Sequence, residues 1–386
     1  MKLVKARIRG LGALSESEWF ELSPRLNLFQ FAGQDGEARG GNFLRLLQSI
    51  NPTYAVQARR PFASYRHIIN VNGQSRRIHP AKRTIAMGVF SATPELVHEL
   101  SFIADWFYET DRIEVGRRFD YSQWINFVEL ASSTRWSEIS STLEDLLRQA
   151  RKISSTMTAP PDEMSRLQPA DRILGTVQDH LTQWLQQLPS ELQQSARQQI
   201  AISHTAIMRA THFEAARVLV RRRLPLFVVL GTEGELRSVD SLLQLISQQV
   251  HTASENSLDG GRLLVETLNE QLEKVPFFTK KLRLEDFTAE VSAFSPLAQM
   301  QAKAALAIAY SRTFCRSEPI LLFAGPERHL HAELHPELAT FIRTVAKTCQ
   351  CLFCYGEVDI FPDKADYKHY SDAADALLPM PVDEGQ

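Results

Sequence analysis

The chain has few cysteines, no long apolar run and, over one stretch, no acid at all. Four cysteines in 386 residues are too few for a disulfide scaffold, so a reducing cytoplasm is the expected compartment. No apolar run approaches the roughly 18 residues that a membrane-crossing helix needs, and no membrane partner is expected. The first ten residues are charged and partly alternating, unlike a secretory signal. Neither G-x-S-x-G nor H-E-x-x-H occurs. Apolar residues are 44% and charged residues 23% of the chain, the balance of a folded protein, which excludes wholesale disorder.

The missing acid is local. From Ala38 to Pro94 there is no Asp or Glu, but Arg39, Arg45, Arg59, Arg60, Arg66, Arg76, Arg77, Lys82 and Arg83 fall there. The whole chain carries −2, so a window of +9 sits on a body of −11. Such asymmetry points to a surface that meets a polyanion. Tyr54, Phe62 and Tyr65 interleave with the arginines, as stacking partners for bases would. The nucleic-acid candidates are Arg59, Arg60, Arg66, Arg76, Arg77, Lys82 and Arg83. No sequence-reading motif accompanies them, so an acidic protein is the alternative partner.

Periodicity gives the elements. Strands are expected near residues 3–8, 19–22 and 26–32, followed by a glycine-rich turn at 33–41 and a helix that Asn51-Pro52 stops. Residues 53–92 read as short strands with a turn at Asn72-Gly73. Residues 135–221 read as helical, with a break at Ala159-Pro160-Pro161 and no heptad array long enough for a coiled-coil arm. Leu224–Gly231, Pro319–Phe323 and Cys351–Tyr355 are buried-strand patterns. A polar loop is expected at Ala253–Gly261, helices near 262–274, 297–313 and 338–348, and a loose tail over the last twenty residues. Buried strands alternating with helices give an α/β core.

Four strings carry a family resemblance. The first is Leu26-Asn27-Leu28-Phe29, continuing to Asn42-Phe43-Leu44 and Ile50-Asn51-Pro52. The second is Arg223-Leu224-Pro225 with the strand after it. The third is Phe294-Ser295 before a helix. The fourth is Pro319-Ile320-Leu321-Leu322-Phe323 with Pro326-Glu327-Arg328-His329-Leu330-His331. In this order they resemble the ATPase head of the SMC/RecF-like branch of the ABC superfamily, including the bacterial overcoming-lysogenization-defect ATPases. The resemblance covers the first ~50 and last ~90 residues. It implies a P-loop ABC-ATPase-like head with a mixed sheet, an N-terminal β-subdomain and a helical insert. The expected organisation is an N-terminal lobe at 1–134, the insert at 135–222 and a C-terminal lobe at 223–386.

The chemistry that the resemblance implies is absent. A working P-loop needs a lysine on the phosphates and a hydroxyl on Mg²⁺. Aligned from Gly33, Arg39 and Gly40 take those places; aligned back from Asn42, Gly40 and Gly41 do. Glu37 adds negative charge beside Gly36 in the same loop. Ala324 and Gly325 stand where the family has its Walker B Asp-Glu. Ser295 keeps the signature serine but Pro296-Leu297 follow it, and the switch histidine falls at Gly356. Losing a single transition-state contact costs roughly 3–4 kcal/mol, and here several are lost together. The vestigial nucleotide site is therefore Gly33, Gly36, Arg39, Gly40, Ser295, Ala324, Gly325 and Gly356, with no catalytic residue.

The expectation is a pseudo-ATPase that acts by binding. Its partner would be an active ATPase or other protein encoded with it, a second copy of itself, or DNA; by analogy with solitary heads it would serve phage defence or a mobile element. No cofactor is expected, although ATP binding without hydrolysis stays open. The competing readings are a divergent ATPase with Arg39 on the phosphates and Glu327 as its carboxylate, and a plain nucleic-acid binder. No metal site is expected. On a strand Cys351 and Cys354 face opposite ways, and His329, His331 and His335 belong to the string after the Walker B strand.

Overall fold

The computed structural model describes residues 1–9, 17–31, 33, 36–53, 68–71, 74–77, 79–104, 108, 110–155, 166–231, 238–257, 259–275, 284, 287–356, 360–361, 367–373 and 376–379. The strands are β1 (Lys2–Ile8), β2 (Phe20–Glu21), β3 (Leu26–Gln30), β4 (Ile68–Val71), β5 (Gln74–Arg77), β6 (Thr84–Ser91), β7 (Arg112–Arg118) and β8 (Gln123–Phe127). They continue with β9 (Phe227–Leu230), β10 (Ile320–Ala324), β11 (Gln350–Tyr355), β12 (Lys368–Ala373) and β13 (Ala376–Pro379). The helices are α1 (Gly36–Gln48), α2 (Pro94–Ser101), α3 (Trp136–Ile153), α4 (Thr176–Gln186), α5 (Ser190–Ser195) and α6 (Arg197–Arg223). After them come α7 (Ser238–Asn256), α8 (Gly260–Glu273), α9 (Phe287–Ser292), α10 (Pro296–Tyr310) and α11 (His335–Ala346).

The chain divides into two compact units. One takes residues 1–92, 112–125 and 222–386; the other takes 93–111 and 126–221. The first unit holds two large sheets. One runs β2-β1-β6-β7-β8, and the other β13-β12-β3-β11-β10-β9. In the second sheet β12, β3, β11, β10 and β9 are parallel, and β13 closes the edge antiparallel. Parallel central strands are buried on both faces, which is why LNLF, FVVL, ILLF and CLFCY read as apolar runs rather than alternations.

Buried amides stitch the first unit together. Gln350 is fully buried; its Oε1 accepts from the Leu3 N–H (2.9 Å) and its Nε2 donates to the Leu3 and Ser23 carbonyls (both 2.7 Å). The Asn51 amide donates to the Leu224 and Pro225 carbonyls, fixing the end of α1 against the entry to β9. Arg117, 6% exposed, donates to the carbonyls of Ser49, Ile50 and Tyr121 and so caps the C-terminal end of α1. Ten of the fifteen residues of α10 are buried, five of them alanines that let the helix lie close on its neighbours.

The second unit is helical. Ile139, Leu143 and Leu146 of α3 pack with Leu181, Trp184 and Leu185 of α4 and Ile207 of α6. The Glu138 carboxylate accepts from the Arg135 N–H at the head of α3 (2.9 Å) and pairs with Arg209 of α6 (3.0 Å).

Two readings from sequence are corrected, and two strands stand where none was expected. Helix α7 runs to Asn256, so the expected polar loop at 253–261 begins inside a helix. Strands β7 and β8 had no expectation attached. The tail is not uniformly loose, because β12 pairs with β3 and adds β13. Its Tyr370 stacks on Phe29 (5.1 Å) and its hydroxyl donates to the Glu21 carbonyl. The expected turn at Asn72-Gly73 lies outside the described residues, although β4 and β5 pair antiparallel around it.

Candidate nucleotide-type cleft

A cleft of about 410 Å³ lies where α1 meets the C-terminal ends of β10 and β11. This is where open parallel sheets place ligands. Strand β3 ends at Gln30 and α1 opens at Gly36, whose N–H donates to the Gly33 carbonyl (3.0 Å). Gly33 holds φ +85°, a conformation that glycine takes without strain. A Cβ on Gly36 would fall 2.2 Å from the Phe31 carbonyl oxygen, so the connection passes too tightly for any side chain there. The buried Phe31 ring lies under α1 against Gly40, where a Cβ would meet it at 3.2 Å.

The helix start fixes what the loop can offer. Glu37 and Ala38 are the next residues after Gly36, and both line the cleft. Arg39 and Gly40 are already inside the helix, as is Gly41. Gly40 contributes to the cleft wall, whereas Arg39, half-buried, is not part of it. Counted back from Gly36, a G-x-x-x-x-G-K-[ST] loop has Phe31 at its first glycine, Glu37 at its lysine and Ala38 at its hydroxyl. That register differs from both alignments read from the sequence.

The opposite wall is built after β10. Ala324 and Gly325 line it, and Gly325 takes φ +58° to turn the chain into a short 3₁₀ segment, Pro326–His329. Arg328 reaches back from this turn. Its Nη1 stands 3.1 Å from Glu37 Oε2 and its Nε 3.8 Å from Glu327 Oε1. A Cβ on Gly356 would fall 2.6 Å from Arg328 Nη2, and one on Gly325 would fall 3.3 Å from its Nε. The guanidinium therefore lies close against two glycines and reaches Glu37 in the first turn of α1.

Glu327 is buried beneath it. Its side chain is 2% exposed, and its carboxylate is met by the backbone amides of Glu327 and Gly356 rather than by a side-chain donor within hydrogen-bond distance. Burial raises its pKa; the amides of Glu327 and Gly356, Arg328 and His335 oppose that rise. Cys354 also lines the cleft, and burial raises its thiol pKa well above the ordinary range, so it stays protonated.

Among the residues singled out from the sequence, Gly36, Gly40, Ala324 and Gly325 share the cleft wall, and Gly356 sits under Arg328. Gly33 lies exposed in the connecting loop. Ser295 caps α10 by accepting from the Ala298 N–H (3.4 Å) and does not line the cleft. Of the basic window, Arg59, Arg60 and Arg66 lie outside the described residues; Arg76 and Arg77 are consecutive on β5, opposite Ile69 and Ile68 of β4. Lys82 is exposed and Arg83 half-buried. Among the described residues no group of three or more His, Cys, Asp or Glu could hold a metal ion, and no helix is long and apolar enough to cross a membrane. Arg328 is the residue that sequence reasoning missed. Nothing in Pro326-Glu327-Arg328-His329 shows that its side chain folds back over glycines at 325 and 356.

No family model matches the chain, and no curated protein does. Solved structures similar to it include the SMC head bound to the C-winged helix domain of ScpA, at 10% identity and a TM-score of 0.45, over 100% of this chain and 99% of that one. Another is the SMC head domain from Thermotoga maritima, at 10% identity and a TM-score of 0.36, over 99% and 100%. A third is the recombination mediator RecF with ATP, at 12% identity and a TM-score of 0.33, over 98% and 99%.

Proposed function

We propose that the chain is a non-catalytic ABC-type head, a pseudo-ATPase that works by binding other macromolecules. The observation that carries the reading is Arg328. In the register of the resemblance, Gly325 and Gly356 stand where an active head has its water-polarising carboxylate and its switch histidine. Here both are glycines and a guanidinium lies over them. That guanidinium pairs with Glu37, which stands at the lysine position of the P-loop. The charges of an active site are reversed: an acid replaces the phosphate-binding cation, and a cation takes the place of the acids. Triphosphate would meet Glu37 at a helix N-terminus where it needs a lysine.

Glu327 does not rescue catalysis. Its carboxylate is buried beside Arg328, and Glu327 is not among the residues that line the cleft. General-base work needs hydrogen-bond reach to the attacking water. Phosphate release from ATP with Mg²⁺ should therefore stay at background in the wild type and in Glu327→Gln alike. Turnover that Glu327→Gln abolishes would favour the divergent ATPase instead.

The partner is an active ATPase or another protein encoded with this one, or a second copy. A bacterial defence or mobile-element system, in the cytoplasm, is the setting that the resemblance suggests. Co-expression with the products of neighbouring genes should yield a stable complex that forms without nucleotide. DNA contact is a second reading. It is favoured by β4-β5, a two-stranded ribbon apart from both large sheets that carries Arg76 and Arg77 side by side in sequence. This reading requires DNA affinity that falls steeply with salt and with alanine at Arg59, Arg60, Arg76 and Arg77.

A further inference from the structure

We infer that Arg328 is a latch shared by two carboxylates, held outward by Glu37 or drawn inward by Glu327, and that ionisation of Glu327 decides between them. The inference deepens the reading of the cleft as a site without nucleotide chemistry, and rests on it. The geometry has three parts. First, the guanidinium lies over Gly325 and Gly356, so no side chain at either position pins it from below. Second, it has an acid on each side: Glu37 Oε2 at 3.1 Å from Nη1, and Glu327 Oε1 at 3.8 Å from Nε. Third, the two acids differ in surroundings, with side chains 76% and 2% exposed.

These differences set up a competition. The Glu37 side of the Arg328–Glu37 pair is 76% exposed, so solvent screens the pair and little holds the latch outward. A carboxylate buried like Glu327, with backbone amides but no side-chain donor at hydrogen-bond distance, is costly once charged. Moving Arg328 inward by roughly 1 Å would bring the 3.8 Å contact to the length of a charge-assisted hydrogen bond. The other groups that act on Glu327 are few. His335 of α11 places its Nε2 3.0 Å from the Glu327 backbone carbonyl, and Cys354 of β11 faces it as a neutral thiol. Arg328 is the cation nearest to hand. While Glu327 is protonated, Arg328 stays on Glu37 and fastens the first turn of α1 to the far wall. When Glu327 ionises, Arg328 turns inward and Glu37 is released. The cleft mouth then opens with rising pH, and burial places the transition above the ordinary carboxylate range.

The test is amide exchange of residues 40–43 in the full chain, followed across pH and corrected for intrinsic rates. Their helix hydrogen bonds fasten the first turn of α1. Wild type should lose protection several-fold as Glu327 ionises. Glu327→Gln should stay protected at every pH, and Glu37→Gln should exchange faster throughout, with no transition. Arg328→Met serves if Glu327→Gln fails to fold, and it should also show no transition. A transition that survives in Glu327→Gln or in Arg328→Met overturns the latch, and so does a wild type with no transition. ATP titration of the same samples separates the two readings. Absence of the transition without ATP binding defeats only the latch, whereas ATP binding defeats the reading of the cleft itself.

Discussion

Two glycine-to-alanine substitutions in one cleft should behave in opposite ways. At Gly36 the added Cβ would fall 2.2 Å from the Phe31 carbonyl oxygen and 2.8 Å from its carbon. Both are backbone atoms, tied by the Phe31 N–H to the Tyr355 carbonyl (2.9 Å), so the strand end cannot yield cheaply. Overpacking of this kind costs roughly 1–3 kcal/mol, against about 0.4–1 kcal/mol gained by stiffening the unfolded chain. Gly36→Ala should therefore destabilise by about 1–2 kcal/mol. At Gly356 the nearest atom is Arg328 Nη2 at 2.6 Å, the far end of a flexible side chain. It can swing aside at the cost of its pair with Glu37, about 0–1 kcal/mol. Gly356→Ala should thus be close to neutral while displacing Arg328. Urea unfolding of the first unit's signal would measure both. If Gly356→Ala cost as much as Gly36→Ala, the guanidinium would be fixed rather than resting over a vacant position, and the account of the cleft would fail.

Other perturbations follow from the same geometry. Arg117→Met should cost about 2–5 kcal/mol, because the buried carbonyls of Ser49 and Tyr121 each lose a donor; Ile50 keeps the Gln123 side-chain bond at 2.8 Å. A chemical-denaturation midpoint near wild type would contradict this. Glu327 has a folded pKa above its unfolded value, so its favourable contribution is full at low pH and fades as pH rises through the folded value. Glu327→Gln should therefore gain on wild type with rising pH, by roughly 1–3 kcal/mol or less if Arg328 compensates the charge. A stability difference that is flat across that window would show that the carboxylate is not buried as described. Alanine at Arg76 and Arg77 together should lower DNA affinity and flatten its salt slope; an unchanged slope would leave the basic window to a protein partner.

Much of the first unit was legible because its strands announce themselves. ILLF and CLFC are buried on both faces, and a single sequence shows that directly. The framework of the cleft was legible for the same reason: Leu26–Gln30, a glycine turn, then Phe43, Leu44, Leu46 and Leu47 on one helix face. The loop register was not. Three glycines at 36, 40 and 41 each offer a helix start, and only the close approach of Phe31 to Gly36 selects the first. Strands β7 and β8 escaped because charges interrupt RIEVGRR and the alternation is short. Helix α7 ends on Ser254, Glu255 and Asn256, all exposed, and such a polar end reads as loop. Arg328 was invisible because its role depends on what two distant positions lack. A missing side chain at Gly356 matters only once the fold lays a neighbour across it.

The central claim is that this cleft does not serve Mg²⁺-ATP. Titration calorimetry of the full chain with ATP and Mg²⁺ tests it most directly. The account predicts no saturable heat in the wild type, and none in Arg328→Met, since removing the guanidinium restores neither the lysine nor the carboxylates. Saturable, Mg²⁺-dependent binding that Glu37→Gln strengthens would contradict it and make the cleft a nucleotide site of altered design.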